Sequence, residues 1–197
     1  SEFNRYYYFI KRIIYTVSII ILIPILIITV MYAYVMKKIL NINESIFYKQ
    51  KRYGLGNSIF QMYKLRTMYV DSDLKGNTNQ NDPRIYSFAK VIRNMRLDEI
   101  PQIINILKND MHLVGPRAEW VKLSDEYNLK INYYSKRHTV RPGITGWAQI
   151  VYPYGFDIYD AEQKLMYDLY YIKNWSVWLE LEICLKTFLV ILDKKGF

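Results

Sequence analysis

Two carboxylates stand side by side in Leu97-Asp98-Glu99-Ile100-Pro101-Gln102, just ahead of apolar residues at helical spacing. Pro101 falls in the first turn, where a missing N–H costs no hydrogen bond. Asp98 and Glu99 are therefore expected at a helix start, whose partial positive charge favours ionised carboxylates and an incoming phosphate alike. Neighbouring helical residues do not share a face. The two can thus serve different partners, one a phosphorus atom and the other a metal ion or a proton. Capping and dipole stabilisation also account for such a hexapeptide, and on these six residues alone that simpler account is the stronger.

Cations that could neutralise a phosphate are spread along the chain. Lys49, Lys51, Arg52, Lys64 and Arg66 form one cluster. On a strand, Lys64 and Arg66 share a face and suit a pyrophosphate. Gly115-Pro116-Arg117 reads as a turn presenting one arginine near Glu119, and Arg141-Pro142-Gly143-Ile144-Thr145-Gly146-Trp147 as an arginine beside a constrained glycine loop. Arginine is the natural fork for phosphate oxygens, although each cluster alone fits a plain basic surface. His112 and His138 have no carboxylate at telling spacing and read as structural.

The elements that must hold these residues follow from pattern. Ser45–Lys51 and Ser58–Arg66 read as strands joined through Gly54-Leu55-Gly56-Asn57, a small β-hairpin. Asp71–Pro83 reads as a polar loop. Ile85–Asn94, Glu99–Lys108 and Val121–Tyr134 read as helices, Thr139–Gln149 as a tight loop, and Ala161–Leu192 as helix interrupted at Asn174-Trp175-Ser176. Tyr167, Tyr170, Tyr171, Trp175 and Trp178 precede Leu179, Leu181, Ile183, Leu185, Phe188, Leu189 and Ile191. This suits an amphipathic helix in a head-group layer, or a core helix with a tyrosine rim. The fold class is α+β, mostly helical.

Composition narrows the partners. The 197 residues carry 27 Lys+Arg against 18 Asp+Glu, a net charge of +9, which calls for an anionic partner without choosing one. Half the chain is apolar (51%), which excludes a disordered tail. One cysteine, Cys184, excludes an intrachain disulfide framework, and no Cys/His cluster suggests structural zinc.

Ile13–Val35 contains no charged residue and would make a helix roughly 35 Å long, enough to cross a bilayer. Pro24 sits at its centre, and both flanks are basic: Arg5, Lys11 and Arg12 before, Lys37 and Lys38 after. The flanks thus give no orientation. The run reads either as a helix that breaks near Pro24 and returns to the same face, with Ser18 or Thr29 serving freed carbonyls, or as a single-pass anchor with a tolerated kink. Residues 1–40 form this segment and 41–197 the remainder.

In this order the motifs resemble the bacterial sugar transferase family, the monotopic phosphoglycosyl transferases. The matching blocks are Phe9–Arg12, Gln50–Gly54, Phe60–Met68, Asp82–Arg84, Leu97–Gln102, Asn105–Met111, Leu113–Arg117, Arg141–Gln149 and Tyr167–Asn174. The resemblance covers nearly the whole chain. It implies transfer of a sugar-1-phosphate from a UDP-sugar to undecaprenyl phosphate, with release of UMP, through a covalent phosphosugar–aspartate, with magnesium. Carried over, Asp98 is the nucleophile and Glu99 assists as metal ligand or base, so that both are metal candidates. Lys64, Arg66 and Arg117 would hold the pyrophosphate, and Arg141 the uridine phosphate or base. The N-terminal helix would be re-entrant at the cytoplasmic face of the bacterial inner membrane, among membrane lipids, with interfacial amphipathic helices beside it. Nucleic acid would not be a partner, and a homodimer is compatible.

The chain departs from the family pattern at four places: Ile23 replaces a serine before Pro24, Tyr15 an acidic residue, Arg96 a small hydroxyl residue, and Ala118 a second proline. Val151–Gly155 and the Tyr167-Asp168-Leu169-Tyr170-Tyr171 stretch resemble the larger members, which often transfer hexose-1-phosphates. The chain reads as a naturally short enzyme or as the catalytic part of such a member. The competing reading is a non-catalytic, membrane-anchored basic module that binds anionic lipid or nucleic acid. It gives no reason for an adjacent acidic pair.

Overall fold

A computed structural model describes residues 2–70, 82–153, 155 and 157–192. Helix α1 (Glu2–Ile39) leads into the hairpin β1 (Phe47–Tyr53) and β2 (Ile59–Leu65), in register from Phe47 opposite Leu65 to Tyr53 opposite Ile59. Gly56 and Asn57 turn the chain at φ 61° and 62°, a region that a side chain rarely enters. Most of the expected Asp71–Pro83 loop lies outside the described residues. Its end closes on itself, with Arg84 Nε donating to Asp82 Oδ1 (2.8 Å).

Helix α2 (Ala89–Asn94) starts four residues later than expected, because Ile85 pairs with Met68 and the Tyr86 amide donates to the Thr67 carbonyl. The helix expected over Glu99–Lys108 begins as a 3₁₀ turn, Leu97–Gln102, and continues as α3 (Ile103–Leu107). Pro101 inside the turn removes a donor, and Arg96 enters it in the left-handed region (φ 54°) without a side-chain cap. Helix α4 (Val121–Lys130) stops at Ile131, which is extended, and a 3₁₀ turn spans Tyr134–Thr139. The expected break around Asn174–Ser176 does separate α6 (Ile158–Lys173) from α7 (Val177–Leu192).

A second pairing was not expected. β3 (His112–Val114) lies parallel to β4 (Gly143–Thr145), and β4 runs on through Gly146 to α5 (Trp147–Val151). The stretch expected as one tight loop is therefore strand and helix. Its glycines are there for close backbone approach. A Cβ on Gly143 would stand 2.1 Å from the Gly115 nitrogen and 2.4 Å from the Thr145 oxygen, both backbone atoms. Gly143→Ala is expected to cost about 4 kcal/mol or more, since the two loops must separate. Gly56→Ala meets nothing within 4 Å, so it carries only its backbone strain, about 1 kcal/mol. Urea unfolding of the two variants checks this ranking; equal losses would show that the crossing is loose.

The helical backbone of α1 continues through Pro24, as the tolerated-kink reading expects and in place of the break that the re-entrant reading and the family resemblance imply. Thr29 Oγ1 donates to the Ile25 carbonyl (2.7 Å), not to Ile20, whose acceptor lost its partner to the proline. One face of α1 packs on the rest of the chain along much of its length. Tyr15 lies edge-on to His112 with ring centroids 5.5 Å apart, Tyr32 meets Phe88, and Ala33 is buried with Leu65, Tyr86, Phe88 and Ile92. Lys37 is buried and donates to the Glu44 and Ser45 carbonyls. The opposite face is apolar and exposed, as Ile20 (64%), Ile28 (68%) and Met31 (62%) illustrate. α7 repeats the pattern: Ile183 is fully buried, while Trp178, Leu185 and Phe188 are exposed.

Candidate active site

Strand alternation builds the floor. Phe60, Met62 and Lys64 lie on one face of β2, opposite Arg52, Gln50 and Tyr48 of β1. Phe60 and Met62 are buried against Met111 and Ala118, so Lys64 on the same face is carried inward. Asn105 of α3 locks the acidic turn beside this strand. Its Oδ1 accepts from the Tyr63 amide (3.1 Å), and its Nδ2 donates to the Gln61 carbonyl (2.7 Å). An edge-strand donor and acceptor are satisfied by one fully buried amide side chain.

That clamp sets Glu99 against two cations. Lys64 Nζ donates to Glu99 Oε1 at 2.7 Å, and Arg117 Nη2 donates to the same oxygen at 3.1 Å. Burial alone would push the Glu99 carboxyl up, but Lys64 and Arg117 outweigh it and hold the group well below the usual carboxylate range. Asp98 differs. It is half-buried and makes no hydrogen bond or ion pair to another side chain among the described residues. Burial raises its carboxyl to about 6; the Lys64 charge pulls it down and the Glu99 charge pushes it up. Adjacent residues thus stand in different surroundings: one carboxylate paired with two cations, the other without a side-chain partner among the described residues.

Arg117 leads into a cavity of about 320 Å³. Its wall carries Arg52, Arg96, Arg117, Arg137 and Lys164, with Glu119 the one carboxylate among the described lining residues. Trp120, Tyr127, Tyr134 and Tyr152 supply aromatic surface, and Gln50 and Gln149 supply amides. Such a cationic, aromatic cavity suits a nucleotide bearing phosphates. Arg137 is held from behind: its Nη2 lies 2.7 Å from Asp168 Oδ2 and donates to the Arg117 carbonyl (3.0 Å).

Of the six residues singled out in sequence, four converge: Asp98, Glu99, Lys64 and Arg117. Two do not. Arg66 stacks on Tyr48 with its guanidinium carbon 5.6 Å from the ring centre, and it neither lines the cavity nor contacts the carboxylates. Arg141 donates through Nε to the Asn109 carbonyl (2.8 Å), where it closes the β3–β4 crossing. Sequence reasoning missed Arg96, Arg137, Lys164 and Asn105. It placed Arg52 in a basic cluster without giving it a role.

Two adjacent carboxylates with an open Asp98 suit magnesium, which is commonly held by one or two carboxylates and completed by substrate phosphates. Among the described residues no group of three or more metal-ligating side chains gathers, and a magnesium ion here would have Asp98 and Glu99 as its protein ligands.

Comparison with known proteins decides the family. The bacterial sugar transferase profile matches residues 6–194. The chain belongs to this family. It is 44% identical over 153 residues to a UDP-N-acetylgalactosamine-undecaprenyl-phosphate N-acetylgalactosaminephosphotransferase of Aeromonas hydrophila, covering 77% of this chain and 36% of that protein. It is 41% identical over 159 residues to a UDP-glucose:undecaprenyl-phosphate glucose-1-phosphate transferase of Xanthomonas campestris pv. campestris, covering 76% and 32%. It is 40% identical over 157 residues to the uncharacterized sugar transferase EpsL of Bacillus subtilis, covering 80% and 75%. The chain spans about a third of the length of the first two.

Proposed function

We propose that this bacterial sugar transferase chain moves a sugar-1-phosphate from a UDP-sugar to undecaprenyl phosphate. The reading rests on family membership and on the activities of two relatives. The observation that carries it is the open Asp98 carboxylate beside the Lys64–Glu99–Arg117 cluster, next to a cationic cavity.

In the first step an Asp98 oxygen attacks the phosphorus that bears the sugar. The bond from that phosphorus to the bridging oxygen breaks, and UMP leaves with the bridging oxygen. In the second step an oxygen of the lipid phosphate attacks the same phosphorus and frees Asp98. A carboxylate is a weak nucleophile toward an anion, so negative charge on the diphosphate must be offset first. Lys64 and Arg117 do this by turning from Glu99 to phosphate oxygens, and Arg52 and Arg96 add to it. Released from its cations, Glu99 can take the proton-bearing or metal-binding role. Magnesium held by Asp98 and Glu99 would supply further charge neutralisation.

The exposed apolar faces of α1 and α7 would bring the site to a membrane surface, in the cytoplasmic leaflet where the lipid phosphate lies. A helix crossing as a simple anchor would leave the domain behind, whereas α1 stays against it from Tyr15 to Lys37. A homodimer is compatible with this arrangement.

The test uses the full chain with undecaprenyl phosphate, Mg²⁺ and a panel of UDP-hexoses and UDP-N-acetylhexosamines, following UMP release and lipid labelling. Release of UMP with one or more donors, abolished by EDTA, is expected. A folded preparation that releases UMP from none of them, yet binds anionic vesicles in a salt-sensitive way, would instead mark a basic membrane module.

A further inference from the structure

The cavity wall holds an oddity that phosphate binding does not explain. Glu119 places a carboxylate among five cations, where an incoming diphosphate would be repelled by it. Residues 117–120 run extended between two bridges, Arg117 to Gly143 and Trp120 to Arg52. Residues two apart on such a segment point the same way, which brings Arg117 and Glu119 to one cavity. Arg117 faces Glu99 and the acidic turn. Glu119 has a different set of neighbours.

Its nearest cation is Arg52, at 3.7 Å, and among the described residues its carboxylate accepts no hydrogen bond. Arg52 is engaged elsewhere, since its Nη1 donates to the Ala118 carbonyl at 2.8 Å. A carboxylate offers about four acceptor positions. Here no described residue takes one of them by a hydrogen bond, and the side chain lines the cavity. Burial would raise this group, but Arg137, Arg52, Arg117 and Lys164 together hold it ionised below the usual carboxylate range. A charged carboxylate that accepts no hydrogen bond from the protein can accept from neutral O–H donors. A nucleotide sugar carries such donors on its ribose and on its sugar, and none on its diphosphate.

We infer that Glu119 is the specificity-determining acceptor for hydroxyl groups of the nucleotide sugar, on the ribose or on the transferred sugar. The inference rests on the donor reading above and assigns the part of the ligand that the cations do not hold. Selectivity follows from chemistry. A ligand lacking the hydroxyl would leave a half-buried carboxylate unpaired, a penalty larger than the gain from making the bond.

The test compares wild-type full chain in nanodiscs with Glu119→Gln and Glu119→Ala, by calorimetric titration with four probes. These are methylenediphosphonate, UDP, 2′,3′-dideoxyuridine diphosphate, and the UDP-sugar that supports UMP release. Methylenediphosphonate is expected to bind all three proteins alike, or more tightly to the variants, because a repelling charge is gone. If the ribose is read, the variants lose roughly tenfold to a hundredfold for UDP and the UDP-sugar but not for the dideoxy compound. If the sugar is read, only the UDP-sugar weakens. Equal loss for methylenediphosphonate and the nucleotides would overturn the inference, because Glu119 would then merely hold Arg52 in place. Unchanged affinity for every probe would overturn it too. A wild-type chain that binds methylenediphosphonate but no uridine nucleotide would overturn the donor reading along with it.

Discussion

Asp98→Asn is expected to abolish sugar-phosphate transfer, by on the order of 10⁴-fold or more, while leaving the fold at least as stable as wild type at pH 7. The two halves of the expectation come from one fact. Burial holds the Asp98 proton affinity up, to about 6. Its charged form is therefore costly in the native state and is kept because the reaction uses it. The sign is fixed by linkage. A carboxyl whose native value lies above its unfolded value of about 3.9 makes the protein gain stability as pH falls from about 6 toward 4. Asparagine lacks the charge and lacks this dependence. The variant should thus exceed wild type by about 1–3 kcal/mol at pH 7, with the margin shrinking below pH 6. Urea unfolding between pH 7 and 5, beside a UMP-release assay, measures both halves. Retained transfer would mean that another group attacks phosphorus. Lost transfer in a protein that no longer folds would leave the nucleophile assignment without support from this variant, and Asp98→Ser then supplies the second measurement.

The acidic pair could be read in sequence because it is local: the turn, the proline and the charges lie within six residues. The hairpin could be read for the same reason. What was lost depends on distant contacts. Lys64 and Arg66 were grouped by alternation, yet only Lys64 meets the acidic turn, because Asn105 sets that turn beside β2. Nothing in the spacing of Asn105 announces a clamp on a strand edge. Arg141 looked like a phosphate fork beside flexible glycines. The glycines instead permit two backbones to cross, and Arg141 closes that crossing on Asn109. Pro24 reads as either a breaking point or a tolerated kink, and the helix continues through it, because one missing hydrogen bond does not end a helix whose later turns pack on the core through Val30, Ala33 and Met36. One missed signal was available. Leu165, Asp168 and Tyr171 are buried at spacing three along α6, so a charged residue sits in an apolar stripe. A carboxylate there needs a buried cation from elsewhere in the chain.

That cation is Arg137, and Arg137→Met is expected to be strongly damaging although it touches neither Asp98 nor Glu99. Arg137 and Asp168 expose 5% and 2% of their side chains and lie 2.7 Å apart. Arg137 also bonds the Tyr134 hydroxyl and the Arg117 carbonyl. Removing one partner of such a pair strands the other as a buried charge, at about 3–5 kcal/mol. Asp168 already sits high, at about 6, because burial outweighs the pull of Arg137. Without the arginine it rises further, so the variant should regain stability on acidification, more than wild type does and from a higher pH. Arg137→Lys keeps the charge but loses the planar fork, and should fall between the two. Arg137→Met with Asp168→Leu removes both charges and should recover much of the single loss. Thermal unfolding of these four proteins and of Asp168→Leu alone, from pH 8 to 5, tests the set. Additive losses in the double variant would show that the two residues are not coupled. The stake reaches the site, because the Arg117 carbonyl is one of the acceptors of Arg137. A protein stabilised by acid or by the double substitution should still bind methylenediphosphonate weakly, since the Arg117 loop has lost the donor that fixed it.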